Sequence, residues 1–251
     1  MLRFFRQIRQ RLLTENKFSK YLLYAIGEIL LVVIGILIAL QVDNWNEDRK
    51  INKREREVLQ SLYNEITTNL EVLRGCSEGI REQLGYTDTL KTYLGPDYPG
   101  LSKNRLFDLF YYTTYVPYCN VVTDVLDELR ASGNLQLIRN IEIRQAISRW
   151  SRANGVLQSE GEEWKRDFST QYIPYTNKWL SWDDFDYFIY PEDSTLNPTR
   201  FEYDPIKMLQ QFEYANLLNN QYWRMVRTRS FIDSLNLRTL SLDSIISNEL
   251  K

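Results

Sequence analysis

Histidine is absent from the 251 residues, and cysteine occurs only twice. Without histidine there is no Ser-His-Asp triad, no imidazole ligand for zinc or haem, and no side chain whose ordinary pKa lies near neutrality. Two cysteines fall short of the four thiolates that an all-cysteine zinc site requires. Nucleotide-binding loops, EF-hand spacing, strand alternation, internal repeats and long low-complexity linkers are lacking too. What remains is ordinary for a folded chain: 43% hydrophobic residues, 25% charged and a net charge of -2. The expectation is a non-enzymatic protein with no cofactor and no metal. Carboxylates alone can hydrolyse glycosides, but sequence order supplies no separation for a catalytic pair.

One strongly apolar block interrupts this average composition. Residues 22–40 are uncharged except for Glu28, and as a helix they span about 27 Å, close to one bilayer core. Thirteen Leu, Ile and Val residues lie in it. Each contributes roughly -0.3 to -0.6 kcal/mol to insertion, against at most about 3.5 kcal/mol opposed by one central carboxylate. Insertion wins. Tyr21 and Tyr24 at one end and Trp45 at the other suit the interfacial belt.

Arg3, Arg6, Arg9, Arg11, Lys17 and Lys20 precede the block, whereas Asp43, Glu47 and Asp48 follow it. The positive-inside rule then places the N-terminus in the cytoplasm and residues 46–251 across the membrane. A cleaved signal peptide is the competing reading, disfavoured by the length of the run and by the lack of a small-x-small cleavage site. Within residues 2–13, Phe4, Phe5, Ile8 and Leu12 share one helical face opposite Arg3, Arg6, Gln7 and Gln10. That pattern fits a helix lying on anionic lipid, with plain topogenic charge as the alternative.

The span itself is asymmetric. At 100° per residue, Tyr24, Gly27, Glu28, Leu31, Gly35 and Ala39 fall on one arc, and large aliphatic residues occupy the other. Small residues let helix backbones approach, and an intramembrane carboxylate normally faces protein or water, so a helix partner is expected. Glu28 is read as a packing residue, with a proton or ion relay in an oligomeric pore as the alternative. Gln41, near the exit, is read as interfacial.

The run from Tyr24 through Gly27-Glu28 and Gly35 to Gln41 and Asp43-Asn44-Trp45-Asn46-Glu47, preceded by Phe4-Phe5-Arg6 and Arg9-Gln10, resembles an uncharacterised single-span membrane protein family of Bacteroidota. A weaker echo lies at Ser132-Gly133-Asn134-Leu135 through Ile138. The resemblance implies a bacterial inner-membrane protein with a periplasmic domain, and it carries no activity.

Beyond Trp45 no Gly or Pro occurs until Gly75, and Val58, Leu59, Leu62, Ile66, Leu70 and Leu73 recur at helical spacing. The membrane helix is expected to continue outward. Further helices are expected over 78–94, 103–116, 120–132 with Gly133 as C-cap, 139–170, 205–236 and 241–250, with the seven prolines between or at the edges of these segments. The expected fold is all-α: one N-terminal transmembrane helix continuing into a periplasmic helical bundle. Its parts are a cytoplasmic basic amphipathic helix over 1–20, the transmembrane helix over 21–45 and the periplasmic domain over 46–251.

Cys76 and Cys119 are a disulfide, worth about 3 to 4 kcal/mol in the chain-entropy model, or two buried thiols, with a reactive pair as the third and weakest alternative. Residues 176–204 have a texture of their own, with seven acids and two bases among many aromatics. There Trp182, Asp183, Asp184 and Asp186 are candidates for a ligand or partner loop, oxygen ligation of calcium included; aromatics packing down on a helical core is the competing reading. The leading function is an interaction or scaffold protein that contacts membrane lipid and forms a homo-oligomer or joins a larger membrane complex. The alternatives are a periplasmic ligand sensor and an oligomeric ion pathway. Nucleic acid is not an expected partner, because the basic cluster belongs to the membrane side.

Overall fold

The computed structural model describes residues 18–97, 100–114, 116 and 119–251. The amphipathic segment expected over 2–13 lies outside the described residues, as do Pro99 and Pro117. All regular structure among the described residues is helical: α1 Phe18–Lys91, α2 Lys103–Thr113, α3 Asp124–Ala131, a 3-10 turn Asn134–Leu137 and α4 Ile141–Asp167, followed by a π-helical turn Phe168–Tyr172, α5 Ile173–Thr176, α6 Trp182–Ile189, α7 Ile206–Leu209 and α8 Phe212–Glu249. The chain divides into a unit that ends at Glu57 and a second unit, Val58–Lys251.

In the first unit the large apolar side chains stand exposed, from Ile29 and Leu31 to Ile38 and Trp45. The apolar window has no buried residue, and by length and composition this is a helix able to cross a membrane. Beyond it, exposed pairs such as Glu47 with Lys50 at 2.8 Å decorate the helix and add little stability.

The second unit is built on a stripe. Leu59, Leu62, Ile66, Leu73 and Ile80 of α1 pack with Ile143, Ile147, Trp150, Leu157 and Trp164 of α4, and with Met225, Ile232, Leu235, Leu242 and Ile246 of α8. Polar links fix the register of α1 and α8 as antiparallel: Thr67 donates to Asp243 at 3.3 Å, Ser77 to Asp233 at 3.2 Å and Lys91 to Asn219 at 3.3 Å. From the first link to the second and from the second to the third, both helices advance by equal numbers of residues, so they stay in step. Buried indoles lock α4 to α8, with Trp150 Nε1 donating to Thr239 at 2.8 Å and Trp164 Nε1 to Gln221 at 2.6 Å.

A second, aromatic core joins α2, α6 and the start of α8 through Phe107, Phe110, Tyr172, Phe185 and Tyr214. Phe185 stands edge-on to both Phe107 and Phe110, at 5.7 and 5.8 Å, the arrangement that ring quadrupoles favour. Burial pushes the Tyr172 phenol up to about 12.

Several boundaries differ from expectation. The break expected near Gly75 does not form: Gly75, Gly79 and Gly85 all lie inside α1. Each mid-helix glycine costs about 1 kcal/mol relative to alanine, whereas each fully buried Leu or Ile of the stripe contributes up to about 3 kcal/mol. Packing therefore carries the helix through. The separate helix expected at 241–250 is likewise the end of α8, because Leu235, Thr239, Leu242 and Ile246 continue one buried face. The segment 120–132 begins its helix only at Asp124, and Gly133 follows it in the left-handed conformation at φ 72° that suits glycine at a helix end. The helix expected over 139–170 turns into the π-helical turn, which is followed by Pro174; a widened turn relieves the clash of a proline ring with a preceding carbonyl.

Candidate functional site

The residues singled out in the span fall on open helix. A Cβ at Gly27 or Gly35 would meet nothing within 4 Å. Ala39 and Gln41 are exposed and Glu28 is half-buried. The side chain of Tyr24 lies outside what is described.

In the second unit α1 grips the segment leading into α3 at three successive points. Cys76 is disulfide-bonded to Cys119, with their Cα atoms 5.7 Å apart. About two turns earlier, the Asn69 amide accepts from Val122 N at 2.7 Å and donates to Val122 O at 2.8 Å. Glu65 then accepts the α3 amides of Val125 at 2.6 Å and Leu126 at 3.4 Å. Because Thr123 makes no side-chain cap, Glu65 supplies it from another helix, where a carboxylate also meets the positive end of the dipole. Burial raises the Glu65 pKa, the two amides oppose that rise, and Asp124 and Asp127 add to it. Sequence reasoning overlooked Glu65 and Asn69. Their signal was polarity at positions that fall on the apolar stripe between Leu62 and Leu73.

The acidic aromatic segment is a structural staple. Ser181 caps α6 by accepting from Asp184 N at 3.3 Å. The Asp184 carboxylate, nearly buried, pairs with Lys103 of α2, accepts from Tyr203 Oη at 2.6 Å and from Thr199 N at 2.7 Å. Burial disfavours its charge, but these donors outweigh burial and hold its pKa below the ordinary carboxylate value. Trp182 donates to Asn177 at 2.6 Å and packs edge-on to Phe185 at 5.5 Å. Asp183 and Asp186 face solvent. The three carboxylates therefore do not converge on a calcium cage, and among the described residues no cluster of three acids or thiols is placed to hold a metal.

A groove of about 580 Å³ opens between the π-helical turn and α8, lined by Asp167, Gln171, Asn220, Trp223, Arg224 and Arg227 among others. Beneath it Glu160, only 8% exposed, accepts from Arg224 Nη1 at 3.0 Å and from Arg227 Nε and Nη2 at 3.1 and 2.8 Å. Arg224 also bonds Asp167. The two arginines that line the groove thus each meet a carboxylate directly, while Arg166, which is exposed and outside the lining, reaches Asp167 only at 4.0 Å. Sequence reasoning missed this site, since its halves lie more than fifty residues apart on α4 and α8.

These features define an all-helical chain with one N-terminal helix long and apolar enough to cross a membrane, and a helical unit clamped by a disulfide. Residues 28–123 match the model of a family of unknown function, DUF6090, and to that extent the chain is similar to it. The matched stretch takes in the apolar helix from Glu28 onward, the three gripping residues of α1 and Val122, and it stops before α3. The Ser132-Gly133 echo, the Asp184 staple and the groove lie beyond it. No curated protein and no solved structure matches the chain.

Proposed function

We propose that this chain is a bacterial single-span inner-membrane protein whose N-terminus is cytoplasmic and whose helical domain is periplasmic, acting as a non-enzymatic interaction or accessory subunit. The observation that carries the reading is the apolar window of α1, unburied along its length, since such a surface needs lipid or another helix to cover it. The basic residues before the span support the orientation. The bond between Cys76 and Cys119 fits an oxidising compartment. The resemblance of residues 1–50 to a Bacteroidota family supports the bacterial envelope. Gly27, Gly35 and Ala39 form the face on which a second helix can approach.

The test is the mass of the complex extracted gently from its native membrane, together with cross-linking before extraction. A defined homo-oligomer or a stable association with other proteins is the expected outcome. A monomer that cross-links to nothing removes the basis for the reading. A second reading, a periplasmic ligand-binding subunit, is favoured by the groove above the Glu160 network, whose volume lies in the range of small-ligand sites.

A further inference from the structure

We propose that the groove between the π-helical turn and α8 binds an uncharged saccharide. This rests on the ligand-binding reading above and specifies its ligand.

Arg224 and Arg227 would ordinarily mark an anion site, but Glu160 and Asp167 already neutralise them, and each pair is direct. Among the charges that line the groove, each has a direct counter-ion, so neither an anion nor a cation meets an unpaired one there. A neutral ligand does not need one.

The rest of the wall offers neutral donors and acceptors. Gln171 and Asn220 present carboxamides, which donate and accept alike, and Ser230 adds a hydroxyl. Arg227 spends Nε and Nη2 on Glu160, and its side chain is half-exposed, so Nη1 keeps donors to offer. Trp223 stands 61% exposed at the same groove. An exposed indole gives a flat, electron-rich face to which the polarised C–H groups of a pyranose ring pack, while its hydroxyls bond the surrounding amides and guanidinium. An apolar ligand would leave those polar groups without partners.

Burying Glu160 between two guanidiniums stabilises the fold less than apolar residues of similar volume would. What the network does accomplish is to hold Arg224 and Arg227 in one geometry, so that little side-chain entropy is lost on binding. The π-helical turn, a feature common at binding sites, begins directly after Asp167 and carries Gln171 on its exposed side.

The experiment uses the full chain in detergent micelles, titrated by calorimetry with uncharged tetrasaccharides of glucose, galactose and N-acetylglucosamine. Binding of at least one is expected, weakened roughly tenfold or more by Trp223→Ala and restored in large part by Trp223→Tyr. Asn220→Ala, at an exposed position that leaves the fold intact by circular dichroism, weakens it as well. Equal binding by the wild type, Trp223→Ala and Asn220→Ala places the sugar elsewhere and overturns the proposal. If none of the sugars binds but uncharged Asn- and Gln-rich peptides do, with Trp223 dependence, the saccharide assignment fails while the ligand-binding reading stands. If neither class binds, both fail.

Discussion

The carboxylate of Glu65 accepts the backbone N–H of Val125 at 2.6 Å, across sixty residues of sequence. A helix N-terminus is thereby capped by a side chain from a different helix, and α3 is tied to α1 at its most polar end. The same carboxylate is buried and lies near Asp124 and Asp127, so the cap works against its own desolvation.

Glu65→Ala leaves two amides without an acceptor and is expected to cost about 1–3 kcal/mol. Glu65→Gln keeps an acceptor and removes the buried charge. Since the folded-state pKa is raised above its unfolded value, the favourable contribution of Glu65 is fully present below about pH 4.5 and is lost as pH rises through the folded value. Denaturant titrations at pH 4 and pH 7 should therefore show the Gln variant gaining on the wild type at the higher pH. A gap that is the same at both values contradicts this.

Reduction of the bond between Cys76 and Cys119 frees a loop closed across 43 residues. In the chain-entropy model the loss is about 3 to 4 kcal/mol. Thermal unfolding with and without reductant, and of the Cys76→Ala, Cys119→Ala double variant, should show matching decreases in Tm. The bonds of Asn69 to Val122 should keep the segment in place in the reduced folded state, which hydrogen exchange at Val122 can follow.

Asp184 titrates in the opposite sense to Glu65. Its folded-state pKa is lowered, so its stabilising contribution is present above about pH 3.8 and is lost as pH falls through the folded value. Lys103 is half-exposed, and solvent screening trims its share. Asp184→Ala is expected to cost about 1–3 kcal/mol at neutral pH and much less in acid, because Thr199 N and the Tyr203 hydroxyl lose their acceptor. Proteolysis between Ile189 and Pro205 at neutral pH should rise in this variant.

Gly79 sits inside α1 with nothing within 4 Å of where a Cβ would stand. Gly79→Ala is expected to stabilise the protein by about 0.5–1 kcal/mol, by removing the conformational entropy that glycine loses on helix formation. An unchanged or lower midpoint in denaturant would show that this position needs its glycine for another reason.

The helical class, the apolar helix and its asymmetric face, and the stripe from Leu59 to Leu73 are legible in the sequence, because these follow from spacing along one element. Gly133 was legible for the same reason: the left-handed end of a helix has a local chemical signature. The loop expected over 176–204 instead contains α6, whose start carries a local signal in Ser181 followed three residues on by Asp184.

Packing between distant segments brings Cys76 to Cys119, sets Glu65 on the N-terminus of α3, and makes Asp184 a buried staple while Asp183 and Asp186 face water. Neighbouring acids of one type were divided by which face of α6 turned inward. It also decided that α1 and α8 run unbroken through weak helix formers, since burial of apolar side chains outweighs local propensity. The groove belongs wholly to this second kind of information. Glu160 and Asp167 lie on one helix and Arg224 and Arg227 on another, and only the antiparallel packing of α4 on α8 brings their charges to balance.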